Sequence, residues 1–302
     1  MARPLRIEFP DAIYHATSRG DRQERIFVDD DDRRRFLQVL DQATQRFDAE
    51  VIAFCLMGNH YHLVLRTRQA NLSRLMRHIN GEYTQAFNRR HEVRGHLFQG
   101  RFHAILVDSD SYLMELCRYV ELNPVRAGLV GHVEDWAWSS YRAHVGRQSG
   151  PKWLATKLLH SHLLGREPLT VKDQLDAARA YEELAADGHV GDFWGAHLRQ
   201  GIYLGDERFV ADMQLRADRQ RSQCGEIPKS QRERSPALSD WQGAGHGRDE
   251  AIRMAYLEGG MTMSAIARQA GVSIATVSRV IARAENAAEM GPAMQDLAPC
   301  KT

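Results

Sequence analysis

Two apolar runs, residues 51–57 (VIAFCLM) and 60–67 (HYHLVLRT), are separated only by Gly58-Asn59. Two turn-forming residues between such runs predict a β-hairpin, and that hairpin limits what the flanking segments can build.

The surrounding pattern supplies the other layers. Residues 12–18 (AIYHATS) read as a strand ending at Arg19-Gly20. After the acidic run 29–32, which suits a helix N-terminus, Phe36, Leu40, Ala43 and Phe47 recur at helical spacing and predict a helix over 31–47. Asn71 is placed to cap a second helix with an apolar stripe of Leu72, Leu75, Met76, Ile79, Tyr83, Ala86 and Phe87. A loop holding Gly95 and Gly100 leads to a fourth strand over 101–108 (RFHAILVD). A third helix follows from Ser109 to about Asn123, with Leu113, Leu116, Cys117 and Val120 inward. The order β-α-β-β-α-β plus a helix predicts an α+β fold: a ferredoxin-like antiparallel sheet with helices on one face. The first domain is expected over 1–147 and a helical extension over 148–219. A Ser-, Arg-, Gln-, Gly- and Pro-rich linker is expected over 220–247, a C-terminal all-α module over 248–287 and a disordered tail over 288–302.

Composition removes several classes. No run of about 18 apolar residues and no signal-peptide core is present, so no membrane role is expected and the cytoplasm is the expected compartment. Cys55, Cys117, Cys224 and Cys300 form no CxxC pair, which argues against a zinc knuckle or disulfide framework and leaves free buried thiols. The net charge of +1 says little about nucleic acid, but residues 51–107 hold eight Arg against two Glu. The first lysine is Lys152, so every earlier side-chain cation except histidine is Arg. The guanidinium fork suits phosphate contacts and base stacking, while a GC-rich genome would also favour Arg.

His60 and His62 stand two residues apart on a strand, so both rings leave one face about 6–7 Å apart while Leu63 and Leu65 serve the other. Such a pair either holds a metal or is two histidines satisfied on a sheet surface. Tyr119 and Asn123 lie at i and i+4 within RYVELNP, as neighbours on a helix that Pro124 brings to an end. An Asn carboxamide is a hard neutral ligand and could complete a His/His/Asn site for Mg²⁺ or Mn²⁺, with the phenol beside it. A tyrosine that attacks a phosphodiester keeps the bond energy as a phosphotyrosine ester, whereas a hydrolase would use water and need no tyrosine. Tyr112 is the main competitor, but its i+4 partner is Leu116, and Tyr83 has Phe87 there.

Three motifs in order, LMGNHYH (56–62), GHLFQGRF (95–102) and RYVELNPVRAG (118–128), resemble those of the REP-associated tyrosine transposases, members of the HUH superfamily of single-strand nucleases. The resemblance covers about residues 5–145. It implies a ferredoxin-like core, His60, His62 and Asn123 as metal ligands, Tyr119 as nucleophile, and a 5′-phosphotyrosine intermediate with a free 3′-OH. It also implies substrates that are hairpin-forming single-stranded palindromes. Arg19, Arg101 and Arg126 are then expected on phosphates and Phe98 on bases, with a core position as the alternative for Phe98, while Phe102, in the fourth strand, is expected in the core. Tyr61 stands between the histidines where an aliphatic is common, and the chain runs about 155 residues past the matched core.

Near the C-terminus, residues 261–281 resemble a helix-turn-helix. Ile266, Ala267, Val277 and Ile281 are expected inward, with Gly271 in the turn and Ser273 as cap. Ala275, Thr276, Ser278, Arg279 and Arg283 are expected outward toward a major groove, with Thr276, Arg279 and Arg283 as DNA contacts. The expectation is thus a metal-dependent DNA strand-transferase, monomeric or homodimeric, with an added duplex-binding module. A DNA-binding regulator that has lost cleavage and a water-using metal nuclease are the rivals.

Overall fold

Alternation along the first strand, β1 (Ala12–Arg19), buries Tyr14 and Ala16 on one face and Ile13 and His15 on the other. A strand apolar on both sides belongs inside a covered sheet, and β1 is flanked on both edges in the computed structural model, which describes residues 7–186, 193–223, 247–257, 261 and 263–289. The hairpin forms as the Gly58-Asn59 turn requires, with β2 (Ala49–Leu56) antiparallel to β3 (His60–Thr67). β1 pairs antiparallel with β3 and with β4 (His103–Val107).

The sheet does not end there. β5 (Leu198–Arg199) and β6 (Tyr203–Leu204) extend it to six strands in the order β2-β3-β1-β4-β6-β5, and β6 runs parallel to β4. The expected antiparallel sheet is therefore mixed. Two-residue strands carry no readable alternation, and their pairing depends on a segment about 100 residues distant.

Helices also cover both faces, where one was expected. α1 (Asp30–Phe47) and α2 (Leu72–Arg90) lie on the side of Tyr61, where Phe36 packs on Tyr61 and Tyr83. α3 (Ser109–Glu121) packs on the other side, placing Leu113, Leu116, Cys117 and Val120 against Ile13, Val64, Ile105 and Val107. The reason lies in β2, where all residues but Glu50 are buried, so neither face can be left to water.

Local signals set the helix ends. Asp29 caps α1 by accepting from the backbone N–H groups of Asp31 and Asp32. Asn71 occupies the cap position of α2, but its carboxamide instead donates to the Phe47 carbonyl. The expected third helix to Asn123 is two helices, α3 and the short α4 (Asn123–Arg126), with Pro124 in the first turn of α4, where its missing N–H is harmless.

The first compact unit spans Arg6–Asp206 and the second begins at Glu207, so the stretch 148–219 divides between them. Within the first unit, α5 (Tyr141–His144), α6 (Thr156–Leu164), α7 (Val171–Ala186) and α8 (Phe193–His197) follow α4, and Leu159, Tyr181 and Phe193 join the α3 core. The second unit contains α9 (Glu207–Gln223), α10 (Arg248–Leu257), α11 (Met263–Ala270) and α12 (Ile274–Glu289). Gln220–Gln223, expected in the linker, continue α9; residues 224–246 and 290–302, which hold most of the expected linker and tail, lie outside the described residues.

α10, α11 and α12 share a core of Ile252, Tyr256, Ile266, Ala267, Val277 and Ile281. Gly271, at φ +67°, makes the turn between α11 and α12, a conformation that a Cβ would strain. Ser273 caps α12 at the Thr276 N–H. Ser278 is buried, which corrects its expected outward position, while Ala275, Arg279 and Arg283 are exposed and Thr276 is half-buried.

Candidate functional site

The pleat of β3 sends His60 and His62 to the face that carries α3, and Tyr61, Leu63 and Leu65 to the other. Tyr61 is completely buried there, its hydroxyl donating to Asn80 Oδ1 at 2.5 Å and lying 3.1 Å from Ser18 Oγ, so the unusual middle residue of the histidine motif is accommodated. The His60 and His62 ring centroids are 5.0 Å apart at 75°.

α3 crosses this face and delivers Tyr119. Its ring lies edge-on to His62 at 6.4 Å between centroids and to His15 at 6.5 Å. The exposed Arg126 guanidinium stands 4.6 Å from the centroid of the Tyr119 ring, at cation–π distance. Tyr112, the competing phenol, is turned to His197 Nδ1 at 3.3 Å. Asn123 opens α4, one residue beyond Leu122; its amide donates to the carbonyls of Tyr119 and Val120, and its Oδ1 has no partner among the described residues.

Electrostatics keep the histidines neutral. Burial pulls His60 down to about 4, with the Arg19 charge adding to the effect. Burial likewise lowers His15 to about 3, with His103 contributing, and holds His62 well below the ordinary imidazole value. Neutral imidazoles are the form that binds metal. His62 Nε2 is buried with no hydrogen-bond partner, the condition of a lone pair that a cation would satisfy. Among the described residues no three His, Cys, Asp or Glu side chains form a metal cluster, so a cation here would need a neutral oxygen such as that of Asn123.

The sequence reading missed several parts of this site. His15 sits inside a run read only as strand, and strand pairing alone reveals that it shares a face with His62. Phe193 and Trp194 come from α8: Phe193 stacks on Tyr119 at 5.9 Å, and Trp194 meets it edge-on at 5.0 Å. Glu121 was visible only as a motif letter. It is 1% exposed, and it accepts from Ser140 and from Tyr181 (2.8 Å), tying the end of α3 to the helices beyond.

Of the expected DNA contacts, Arg19 and Arg101 are exposed, and Arg19 closes the β1 register opposite His60. Phe98 is a correction. It is buried against Tyr61 and Tyr83, because the loop that carries it bridges back to Gly20, and it presents no face for a base. Phe102 is buried, as expected. Arg279 is turned along its own helix, toward the Ala275 carbonyl and Thr276 Oγ1.

The family described as "Transposase IS200 like" matches residues 8–123, a span that contains the hairpin, both histidines, Tyr119 and Asn123. The likeness to IS200-like transposases is carried by residues 8–123. A REP-associated tyrosine transposase of Haemophilus influenzae is 24% identical over 128 residues, which is 39% of this chain and 73% of the relative. Among solved structures, a REP-associated tyrosine transposase bound to a REP hairpin aligns with TM-score 0.44 and 19% identity, over 51% of this chain and 92% of that one. A Deinococcus radiodurans transposase aligns with TM-score 0.29 and 16% identity, over 40% and 95% of the two chains. Outside that span, residues 262–290 match "Bacterial regulatory proteins, lacI family". No helix among the described residues is long and apolar enough to cross a membrane.

Proposed function

We propose that the chain is a DNA strand-transferase that nicks and rejoins single-stranded hairpin DNA through Tyr119, in the cytoplasm. The observation that carries this reading is the Tyr119 ring edge-on to His62 with the Arg126 guanidinium over it, within the span that matches IS200-like transposases. In the forward step Tyr119 Oη bonds to phosphorus and the bond from phosphorus to the 3′ oxygen breaks. The phenol proton is lost, and the departing 3′ oxygen gains one. The 5′ end is then held as a phosphotyrosine ester, and attack by a 3′-OH reverses the exchange without external energy.

His60 and His62 would hold Mg²⁺ or Mn²⁺ with Asn123, and the ion when bound would polarise the scissile phosphate. Arg126 supplies positive charge where the phosphate meets the phenol. Phe193 and Trp194 hold the Tyr119 ring and keep one side of it dry. Exposed Arg19 and Arg101 are assigned to backbone phosphates of the strand.

The second unit is read as a helix-turn-helix that binds duplex DNA through α12, with Thr276, Arg279 and Arg283 toward the groove. The lacI-family match, the Gly271 turn and the Ser273 cap support it.

The test is a 5′-labelled and 3′-labelled hairpin oligonucleotide incubated with the full chain and Mn²⁺. A covalent adduct on the 5′ end that disappears in Tyr119→Phe is expected. Cleavage that survives Tyr119→Phe would favour water as nucleophile, and no cleavage with any divalent metal would favour a regulator without catalysis.

A further inference from the structure

A third imidazole is built into the site. His15 Nε2 lies 2.9 Å from His62 Nδ1, and the two rings meet edge to edge in nearly one plane, with centroids 5.2 Å apart and planes 4° from parallel. On its other side His15 stacks on Trp194 at 5.3 Å and 22°. His15 is 4% exposed, so this row of rings is packed and not a chance surface contact. The pairing follows from the sheet: Thr17 lies opposite His62 in the register, and His15 is one step along the same face.

Only one proton can occupy that short contact, and its placement decides what His62 can do. If His15 Nε2 carries it, His62 Nδ1 is the acceptor and the neutral His62 ring has N–H at Nε2, a donor buried without an acceptor. If His62 Nδ1 carries it, the proton points at the His15 Nε2 lone pair, and His62 Nε2 is an open lone pair at the buried end of the ring. The second arrangement alone lets a cation satisfy the orphaned Nε2. It leaves His15 Nδ1–H as the group without a partner, a cost the metal-ligating arrangement must carry.

We propose that His15 is a positioning residue that fixes the tautomer and ring angle of His62, with Trp194 clamping it from the outer side. It presents His62 Nε2 to the cation and touches neither substrate nor metal. This rests on the reading of His60 and His62 as ligands. It also gives α8 a function, since Trp194 closes a row of rings that begins at the ligand.

The experiment uses the full chain and two readouts that do not depend on DNA cleavage. Nitrogen-15 imidazole NMR reports which His62 nitrogen is protonated, and titration with Mn²⁺ reports affinity. In the wild type His62 is expected as the Nδ1–H tautomer. His15→Phe keeps an aromatic ring in the row but removes the acceptor; it is expected to shift the His62 tautomer and weaken Mn²⁺ binding about 10–100-fold. His15→Gln, whose carbonyl can accept the same proton, should recover most of the loss.

A wild-type His62 protonated at Nε2 would overturn the proposal even if His15→Phe fails to fold. So would a folded His15→Phe with wild-type tautomer and Mn²⁺ affinity. If the wild type binds no Mn²⁺ while His62 is Nδ1–H and changes in His15→Phe, the positioning stands and the metal assignment falls.

Discussion

Tyr181 donates its hydroxyl to the Glu121 carboxylate at 2.8 Å, joining α7 to the last residue of α3. The pair is fully buried, and Ser140 donates to the same carboxylate while His144 Nδ1 lies 2.8 Å from it. A buried carboxylate is costly unless such donors surround it. Glu121 is two residues from both Tyr119 and Asn123, so this anchor sets where the Tyr119 ring stands.

Tyr181→Phe removes one donor and leaves the carboxylate underpaired. It should lower stability by about 1–3 kcal/mol in urea unfolding. The rate of 5′ adduct formation should fall as well, with little change in hairpin affinity, because α3 would lose its fixed end. An unchanged unfolding midpoint would mean that Ser140 and His144 suffice.

Arg126 is exposed yet held over the Tyr119 ring, so its removal should act on chemistry more than on folding. Arg126→Leu is expected to slow adduct formation about 10–100-fold, as loss of one charge-stabilising donor does. Arg126→Lys should recover only part of the rate, because an ammonium lacks the planar fork. Single-turnover kinetics at saturating hairpin measure the effect, and equal rates for the three proteins would exclude the role.

Acid stability should report the contact between the two helices on the opposite face. The Arg90 guanidinium hydrogen-bonds to Asp29, and that bond, with the cap bonds from Asp31 and Asp32, holds the Asp29 carboxyl well below its ordinary value. A depressed carboxyl stabilises the folded state above the unfolded value of about 3.9 and loses that contribution as pH falls through the folded value. Arg90→Ala should therefore lower the melting temperature at pH 7, and the gap from wild type should narrow as pH drops below about 4. Salt should narrow it too, since both groups are solvated. A gap constant with pH would assign the loss to packing.

Deleting residues 248–287 removes the helices that share the second hydrophobic core. Duplex affinity should fall while hairpin cleavage by the first unit persists, as read by mobility shift and adduct assay on one preparation. Arg279→Ala and Arg283→Ala should each weaken duplex binding and flatten its dependence on salt by about one ion. Undiminished duplex affinity in the deletion would move that activity to the first unit.

Short-range signals carried much of this protein. The Gly58-Asn59 hairpin, the Asp29 cap, the apolar stripe of α2 and the spacing of His60 with His62 are each fixed within a few residues, where backbone geometry and side-chain periodicity leave few alternatives. The motif around Tyr119 was legible for the same reason. Its nearness to His62 was an expectation that the crossing of α3 over the sheet supplied. Tertiary structure alone decided what depends on pairing between distant segments. It sent Phe98 inward, wrapped helices on both faces and added β5 and β6 beside β4. It also placed His15 between His62 and Trp194, residues 47 and 179 positions further along the chain, a contact with no periodicity to announce it. Such contacts depend on strand register and burial, which are settled by the whole core at once and leave no local mark on the sequence.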